Sequence, residues 1–260
     1  MFEQTHAAIK QIKKEKPLIL NITNFVTMDF IANGLLSLGA SPIMSQAEHE
    51  IEDLLKISKS VVINPGTVND EFISLCKQTC FAANALGIPI ILDPVGAGAS
   101  QYRTDICTIL MSEFDIAIIR GNASEIMALA GCTQKTQGVD SIIDSAYALE
   151  SAKLLSKQCN SAIVVSGKID ILVDSNLQTV LECGSSLMPT ITGTGCLLTA
   201  VIAAFHAIEK NRFAAAKMAA LFYGICGEVA EKKSQGPGSF KTQFLDTLSF
   251  LPEREHYDKH

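Results

Sequence analysis

The 260-residue sequence lacks the marks of several protein classes. None of its eight cysteines (Cys76, Cys80, Cys107, Cys132, Cys159, Cys183, Cys196 and Cys226) forms a C-x-x-C pair, and no histidine cluster accompanies them. That disfavours structural zinc. Scattered thiols inside apolar runs behave as small core hydrophobes in a reducing compartment, which points to the cytoplasm. Basic residues are not in excess: the formal net charge is -6, which argues against nucleic acid or an anionic membrane as a partner. Charged residues make up only 18% and hydrophobic residues 48%, which leaves material for a large buried core. No apolar run reaches the roughly 18 residues of a membrane span. The charged stretch from Met1 to Lys16 has no signal-peptide core. No Pro/Ser-rich or charge-rich linker divides the chain, so one domain over residues 1–260 is expected.

What is present is alternation. Short aliphatic runs at 18–21, 61–64, 88–92, 116–119 and 162–165 read as strands buried on both faces. Amphipathic segments at 29–38, 70–86, 124–130 and 144–158 read as helices between them, and Gly87 is a helix stop. The runs 169–174 and 178–182 flank Ser175-Asn176-Leu177 and predict an antiparallel hairpin. Helices are predicted at 196–210, 212–233 and 239–249. The fold class is therefore α/β: a three-layer α/β/α domain with a mostly parallel central sheet and an antiparallel edge hairpin. In such sheets ligands bind beyond the carboxyl ends of the strands.

Four motifs carry chemistry. Thr192-Gly193-Thr194-Gly195-Cys196 precedes an unbroken apolar helix. Glycines admit a close ligand, and the helix start offers free N–H groups and a positive dipole end, which suits a transferring phosphoryl group; taken alone, the motif reads equally as an ordinary glycine-rich turn before a buried helix. This is not a Walker A loop, which ends in Gly-Lys-Ser/Thr. Cys196 at the helix start is expected to have a lowered pKa. General base, nucleophile and passive residue are its competing roles; positioning of an acceptor hydroxyl is favoured, since phosphoryl transfer needs placement more than a strong base. In Arg120-Gly121-Asn122-Ala123-Ser124-Glu125, Asn122 and Glu125 have the spacing of a helix cap. The functional alternative sets Glu125 near Mg²⁺ through its waters, with Asn122 and Arg120 near phosphates. Asp93 ends an apolar run and reads either as a helix or turn cap, since Asp-Pro starts many turns, or as a buried carboxylate that needs a partner or a metal; with Glu125 it would make the carboxylate pair that Mg²⁺ prefers. Met44 follows Ala40-Ser41-Pro42-Ile43 and is either core or a ring contact. Asn24 and Thr27 read equally as caps.

Together these strings resemble the hydroxyethylthiazole kinases: Asn21 to Thr27, Ala32-Asn33, Gly39 to Met44, Leu92 to Gly98, Arg120 to Glu125, Gly138 to Asp140 and Thr192 to Cys196. The Asn-x-x-Glu and Gly-x-Gly-Cys pieces also resemble the wider ribokinase-like superfamily, where Asp commonly stands at the last position as base. The resemblance implies a ribokinase-like fold and Mg²⁺-dependent transfer of the ATP γ-phosphate to 4-methyl-5-(2-hydroxyethyl)thiazole, in thiamine diphosphate salvage. It also implies a homotrimer with sites at subunit junctions. By matching position, Met44 and Gly193 look like thiazole contacts. Arg120 and Ser166 look like ATP contacts, with Asn122, Thr194 and Gly195 beside the phosphates. Asp93 and Glu125 look like the Mg²⁺ carboxylates, and Cys196 like the catalytic position.

Two departures stand out. Ser166-Gly167-Lys168 replaces the family's Thr-Gly-Glu, and Pro65 stands where Ile is usual, stiffening that loop. The rival readings are a hydroxymethylpyrimidine kinase, a nucleotide-dependent hydrate dehydratase, or a nucleotide-binding regulator without catalysis.

Overall fold

The computed structural model describes residues 1–132 and 145–257. The motif Gly138 to Asp140 and the predicted helix start at Asp144 lie outside the described residues. In chain order the elements are α1 (Phe2–Glu15), β1 (Leu18–Ile22), α2 (Met28–Leu38), β2 (Ser41–Met44), α3 (Ile51–Ile57), β3 (Ser60–Ile63) and α4 (Asp70–Leu86). These are followed by β4 (Ile90–Leu92), α5 (Gln101–Glu113), β5 (Ile118–Asn122), α6 (Ala123–Leu129), α7 (Ser145–Cys159), β6 (Ala162–Ser166), β7 (Asp170–Asp174) and β8 (Leu177–Leu181). The last helices are α8 (Thr194–His206), α9 (Arg212–Lys232), α10 (Pro237–Leu248) and α11 (Arg254–Tyr257).

Among the described residues, eight strands form one sheet in the order β2-β1-β3-β4-β5-β6-β7-β8. All pairs through β6 are parallel, and β7 and β8 add the antiparallel edge. Strand side chains alternate between faces. Ile19, Val62, Ile91, Ile118, Val164 and Leu172 meet α1, α2, α8, α9 and α10 on one side. Leu20, Val61, Ile63, Ile90, Leu92 and Ile119 meet α3 to α7 on the other. Burying each such aliphatic side chain contributes about 1.5–3 kcal/mol, which makes these two layers the source of the fold's stability. Residues Cys196 to Phe205 of α8 are buried in an unbroken run, as befits a helix apolar all round. Among the described residues, α9 is long and apolar enough to cross a membrane, yet most of it is buried in the core.

The local signals explain most of the boundaries. Asn69 caps α4 by accepting from the Phe72 amide, and Gly87 ends it in the left-handed region. Most predicted boundaries move by one or a few residues, and four of the shifts bear on the strand ends. β4 begins only at Ile90, after Pro89, which has no N–H to give a ladder. β5 runs on through Arg120-Gly121-Asn122, because each of these pairs with β6. Met44 closes β2 rather than following it, pairing with Asn21. Helix α8 begins at Thr194, two residues before the predicted start, with Gly193 as its N-cap. The helices α3 and α5 had no counterpart among the predicted elements; both are short or weakly amphipathic.

Candidate active site at the strand ends

Parallel register brings polar residues that end separate apolar runs into one row. Ile22 pairs with Ile63, and Ile63 with Leu92, so Asn64 and Asp93 stand side by side just past their strands. Asn24 donates through Nδ2 to Asn64 Oδ1 at 3.1 Å, and Asn64 Nδ2 donates to Asp93 Oδ2 at 3.0 Å. Asp93 Oδ1 lies 3.6 Å from Arg120 Nη1. Arg120 Nη2 in turn donates to the Ser166 hydroxyl. A continuous polar chain thus crosses the carboxyl ends of β1, β3, β4, β5 and β6. Asn24, Asn64, Asp93 and Arg120 are all buried along it.

Helix α8 closes over this row. Among the described residues no side chain caps Gly193, and the first-turn amides have no intrahelical partners. Gly193 sits at φ +97°, and a Cβ there would come within 2.8 Å of Thr27 Cγ2. A Cβ on Gly195 would lie 2.5 Å from Arg120 Nη1. Both glycines are therefore demanded by close approach, and the second presses the guanidinium against the helix start. Thr199, one turn further on, donates to Asp93 Oδ2 at 2.9 Å. The buried Tyr223 of α9 donates to the Thr194 carbonyl at 2.6 Å, tying that turn to the core.

Cys196 faces the same row, with its Sγ accepting from Asn24 Nδ2 at 3.5 Å. Burial, and then the neighbouring Asp93 carboxylate, push its thiol up to about 11. This corrects the expected lowering. The helix end does favour a thiolate, but desolvation and a like charge outweigh it. Burial also raises Asp93, opposed by Arg120, Thr199, Cys196 and Asn64. Among the described residues, Asp93 Oδ1 has no hydrogen-bond partner, nor has Arg120 Nε.

Glu125 is held rigidly. Its Oε1 accepts from the Gly96 amide at 2.9 Å and its Oε2 from the Asn122 amide at 2.8 Å. The Asn122 side chain accepts from the Glu125 amide, completing a capping box on α6. Burial and the charge of Asp93 raise Glu125 to about 7. The capping reading of this motif is thus realised, and the same carboxylate still faces Asp93 closely enough to repel it. Met44 is half-buried against the α8 side of the core.

Among the described residues, no three His, Cys, Asp or Glu side chains converge as a metal cage. The donor set suits a hard cation all the same. A buried Asp93 oxygen without a hydrogen-bond partner among the described residues, and the fixed Glu125, are the one or two carboxylates that Mg²⁺ takes alongside phosphate oxygens and water. Two surface clefts of about 610 and 450 Å³ lie elsewhere, the larger between α3, α4 and α5; neither is lined by residues of the strand-end row.

Asn64, Thr199, Arg103 and Asp170 were not singled out as site residues. Asn64 carried the same signal as Asp93, a polar residue ending an apolar run. Thr199 is an isolated hydroxyl three residues after Cys196 in an apolar helix. Arg103 donates to the carbonyls of Val95 and Pro65, joining two strand-end loops. The buried Asp170 accepts from the Gly167 amide at 3.0 Å and shapes the turn after Ser166, in which Lys168 is exposed. Neither role had a local signal.

The Hydroxyethylthiazole kinase family model matches residues 9–254. The hydroxyethylthiazole kinase of Chlamydia abortus is 41% identical over the whole of both chains. That of Brachyspira hyodysenteriae is 44% identical over 95% of this chain and 93% of its own. Among solved structures, hydroxyethylthiazole kinase from Pyrococcus horikoshii superposes with a TM-score of 0.90 at 33% identity, covering 99% of this chain and 97% of that one. A Bacillus subtilis pyridoxal kinase in complex with ADP shares the fold, with a TM-score of 0.60 at 15% identity over 81% of this chain and 91% of its own. With the family model spanning nearly the entire sequence and the relatives aligned end to end, the chain belongs to the hydroxyethylthiazole kinase family.

Proposed function

We propose that the chain, acting as one kinase domain, transfers the γ-phosphate of ATP to the hydroxyethyl group of 4-methyl-5-(2-hydroxyethyl)thiazole, supplying thiamine diphosphate synthesis. The observation that carries this is the polar row running from Asn24 to Ser166 beneath an uncapped helix start. In this reading the amides of Thr194, Gly195 and Cys196 hold the migrating phosphoryl group. Arg120 and Ser166 bind the nucleotide, with Asn122 beside its phosphates, and Met44 and Gly193 border the ring. Asp93 and Glu125 would hold Mg²⁺, which when bound neutralises phosphate charge. The acceptor oxygen bonds to the γ-phosphorus as the bond to the β-phosphate oxygen breaks and ADP departs. The hydroxyl proton leaves late, to a phosphoryl oxygen. With its thiol raised to about 11, Cys196 orients the acceptor through its sulfur rather than ionising first.

A homotrimer with sites at subunit junctions belongs to the same proposal. Phe25 and Val26 follow Asn24 directly and are 58% and 69% exposed, which supports a covering neighbour beside the row. Cytoplasmic residence is proposed from the cysteine usage.

The test is ADP formation with a panel of small heteroaromatic alcohols, with and without Mg²⁺. Turnover that is Mg²⁺-dependent and fastest with the thiazole alcohol is expected. Preference for a pyrimidine alcohol, or ATP binding without any turnover, would overturn the reading. Cys196→Ser is expected to keep turnover and Cys196→Val to lose most of it.

A further inference from the structure

Asp93 is fully buried and its two oxygens are treated differently. Oδ2 accepts from Asn64 at 3.0 Å and Thr199 at 2.9 Å. Oδ1 faces Arg120 at 3.6 Å and has no hydrogen-bond partner among the described residues. A carboxylate with both donors on one oxygen cannot rotate without breaking both bonds, and each bond counts for more because the group is buried. Thr199 is the donor with mechanical consequence. It lies on α8, three residues after Cys196 and four after Gly195, so it shares a helix face with the first turn. Its hydroxyl also lies 3.4 Å from the Gly195 carbonyl. One side chain therefore ties the carboxylate just past β4 to the helix start proposed to hold the phosphoryl group.

We infer that Thr199 is a positioning residue: through its hydroxyl it fixes the rotation of Asp93, so that Oδ1 is presented to the Mg²⁺-bound phosphates in register with the α8 amides. This rests on the phosphoryl-transfer reading above. Thr199 touches neither substrate nor metal; it acts through Asp93. Thr199 is fully buried, and serine, which keeps the hydroxyl and drops the methyl, separates the role of the hydroxyl from that of packing.

The experiment compares the full-length wild type with Thr199→Val and Thr199→Ser. ADP affinity is measured by calorimetry with and without Mg²⁺, and kcat and KM by steady-state turnover. Removing groups that orient a metal-binding side chain lowers metal affinity or activity by about 10- to 100-fold. Thr199→Val is expected to bind ADP alone like wild type, to lose most of the tightening that Mg²⁺ confers, and to lose kcat by about that factor with KM for the alcohol little changed. Thr199→Ser is expected to restore both. If Val does not fold, Thr199→Ala is compared with Ser on the same two readouts. Full Mg²⁺ tightening and kcat in Val or Ala would overturn the inference. So would a Ser variant as impaired as Val, which would assign the effect to packing. Wild type showing neither turnover nor Mg²⁺-dependent tightening would instead overturn the kinase reading, and the inference with it.

Discussion

Two helices begin at the same edge of the sheet and are finished in opposite ways. At the start of α6, Asn122 and Glu125 close a capping box, so the amides of these two residues are satisfied from within the chain. At the start of α8, a glycine stands in the cap position, no side chain among the described residues caps it, and a guanidinium lies against the first turn. Ordinary helix stability favours a polar side-chain cap over a glycine by only about a few tenths of a kcal/mol. Leaving α8 uncapped gives up that contribution and keeps amides and a positive dipole end available to an external anion. The difference teaches that the two motifs of this edge divide the labour: one makes a rigid support, the other a binding surface.

Substitutions test that division, beginning with the largest expected effect. Gly195→Ala puts a methyl 2.5 Å from Arg120 Nη1 and must displace the guanidinium from the helix start. Alanine itself suits a helix better than glycine. The expected result is a loss of about 100-fold or more in kcat/KM with a melting temperature close to wild type, as for removal of an oxyanion donor. Near-normal kinetics would mean that the α8 start does not act on the phosphoryl group.

Glu125→Gln keeps a side-chain oxygen for the cap but removes a buried charge. It should lower kcat by about tenfold and raise the Mg²⁺ concentration needed, with a smaller loss of thermal stability because the new NH2 group must face the Gly96 amide that Oε1 now accepts. Unchanged Mg²⁺ dependence would leave Glu125 a support and nothing more. Asn122→Ala removes the acceptor for the Glu125 amide, and about 1 kcal/mol of stability should be lost, read by denaturant unfolding. A loss of activity far exceeding that in stability would move Asn122 from support to surface.

The smallest effect concerns the thiol at the uncapped start. If burial governs Cys196, its alkylation by iodoacetamide, followed by peptide mapping, should rise steadily with pH toward about 11. The sign follows from the upward shift: ionisation is opposed in the folded state, so the reactive thiolate is scarce at neutral pH. A rate that levels off below pH 9 would show the helix dipole winning instead.

Most of the architecture was legible. Continuous aliphatic runs separated by amphipathic segments can only be buried as a parallel sheet between helices, and the Ser175-Asn176-Leu177 break marked the antiparallel edge. Asp93, Arg120, Glu125 and Cys196 were legible as chemistry because each interrupts an apolar or small-residue run. Thr199 and Asp170 were not. A hydroxyl in a helix and a carboxylate starting a strand have ordinary local readings, and their meaning depends on partners 106 residues away for Thr199 and three for Asp170.

By itself, the amino-acid order determined the strand-helix alternation, the capping box at α6 and the glycines at the start of α8, because each follows from neighbours a few residues apart. Only tertiary structure decided that Asn24, Asn64, Asp93, Arg120 and Ser166 form one row, since register between five strands sets those distances. It also decided the ionisation of Cys196. A helix end acts within one turn and favours the thiolate. The burial and the Asp93 charge that outweigh it arise only when α8 is laid across the strand ends.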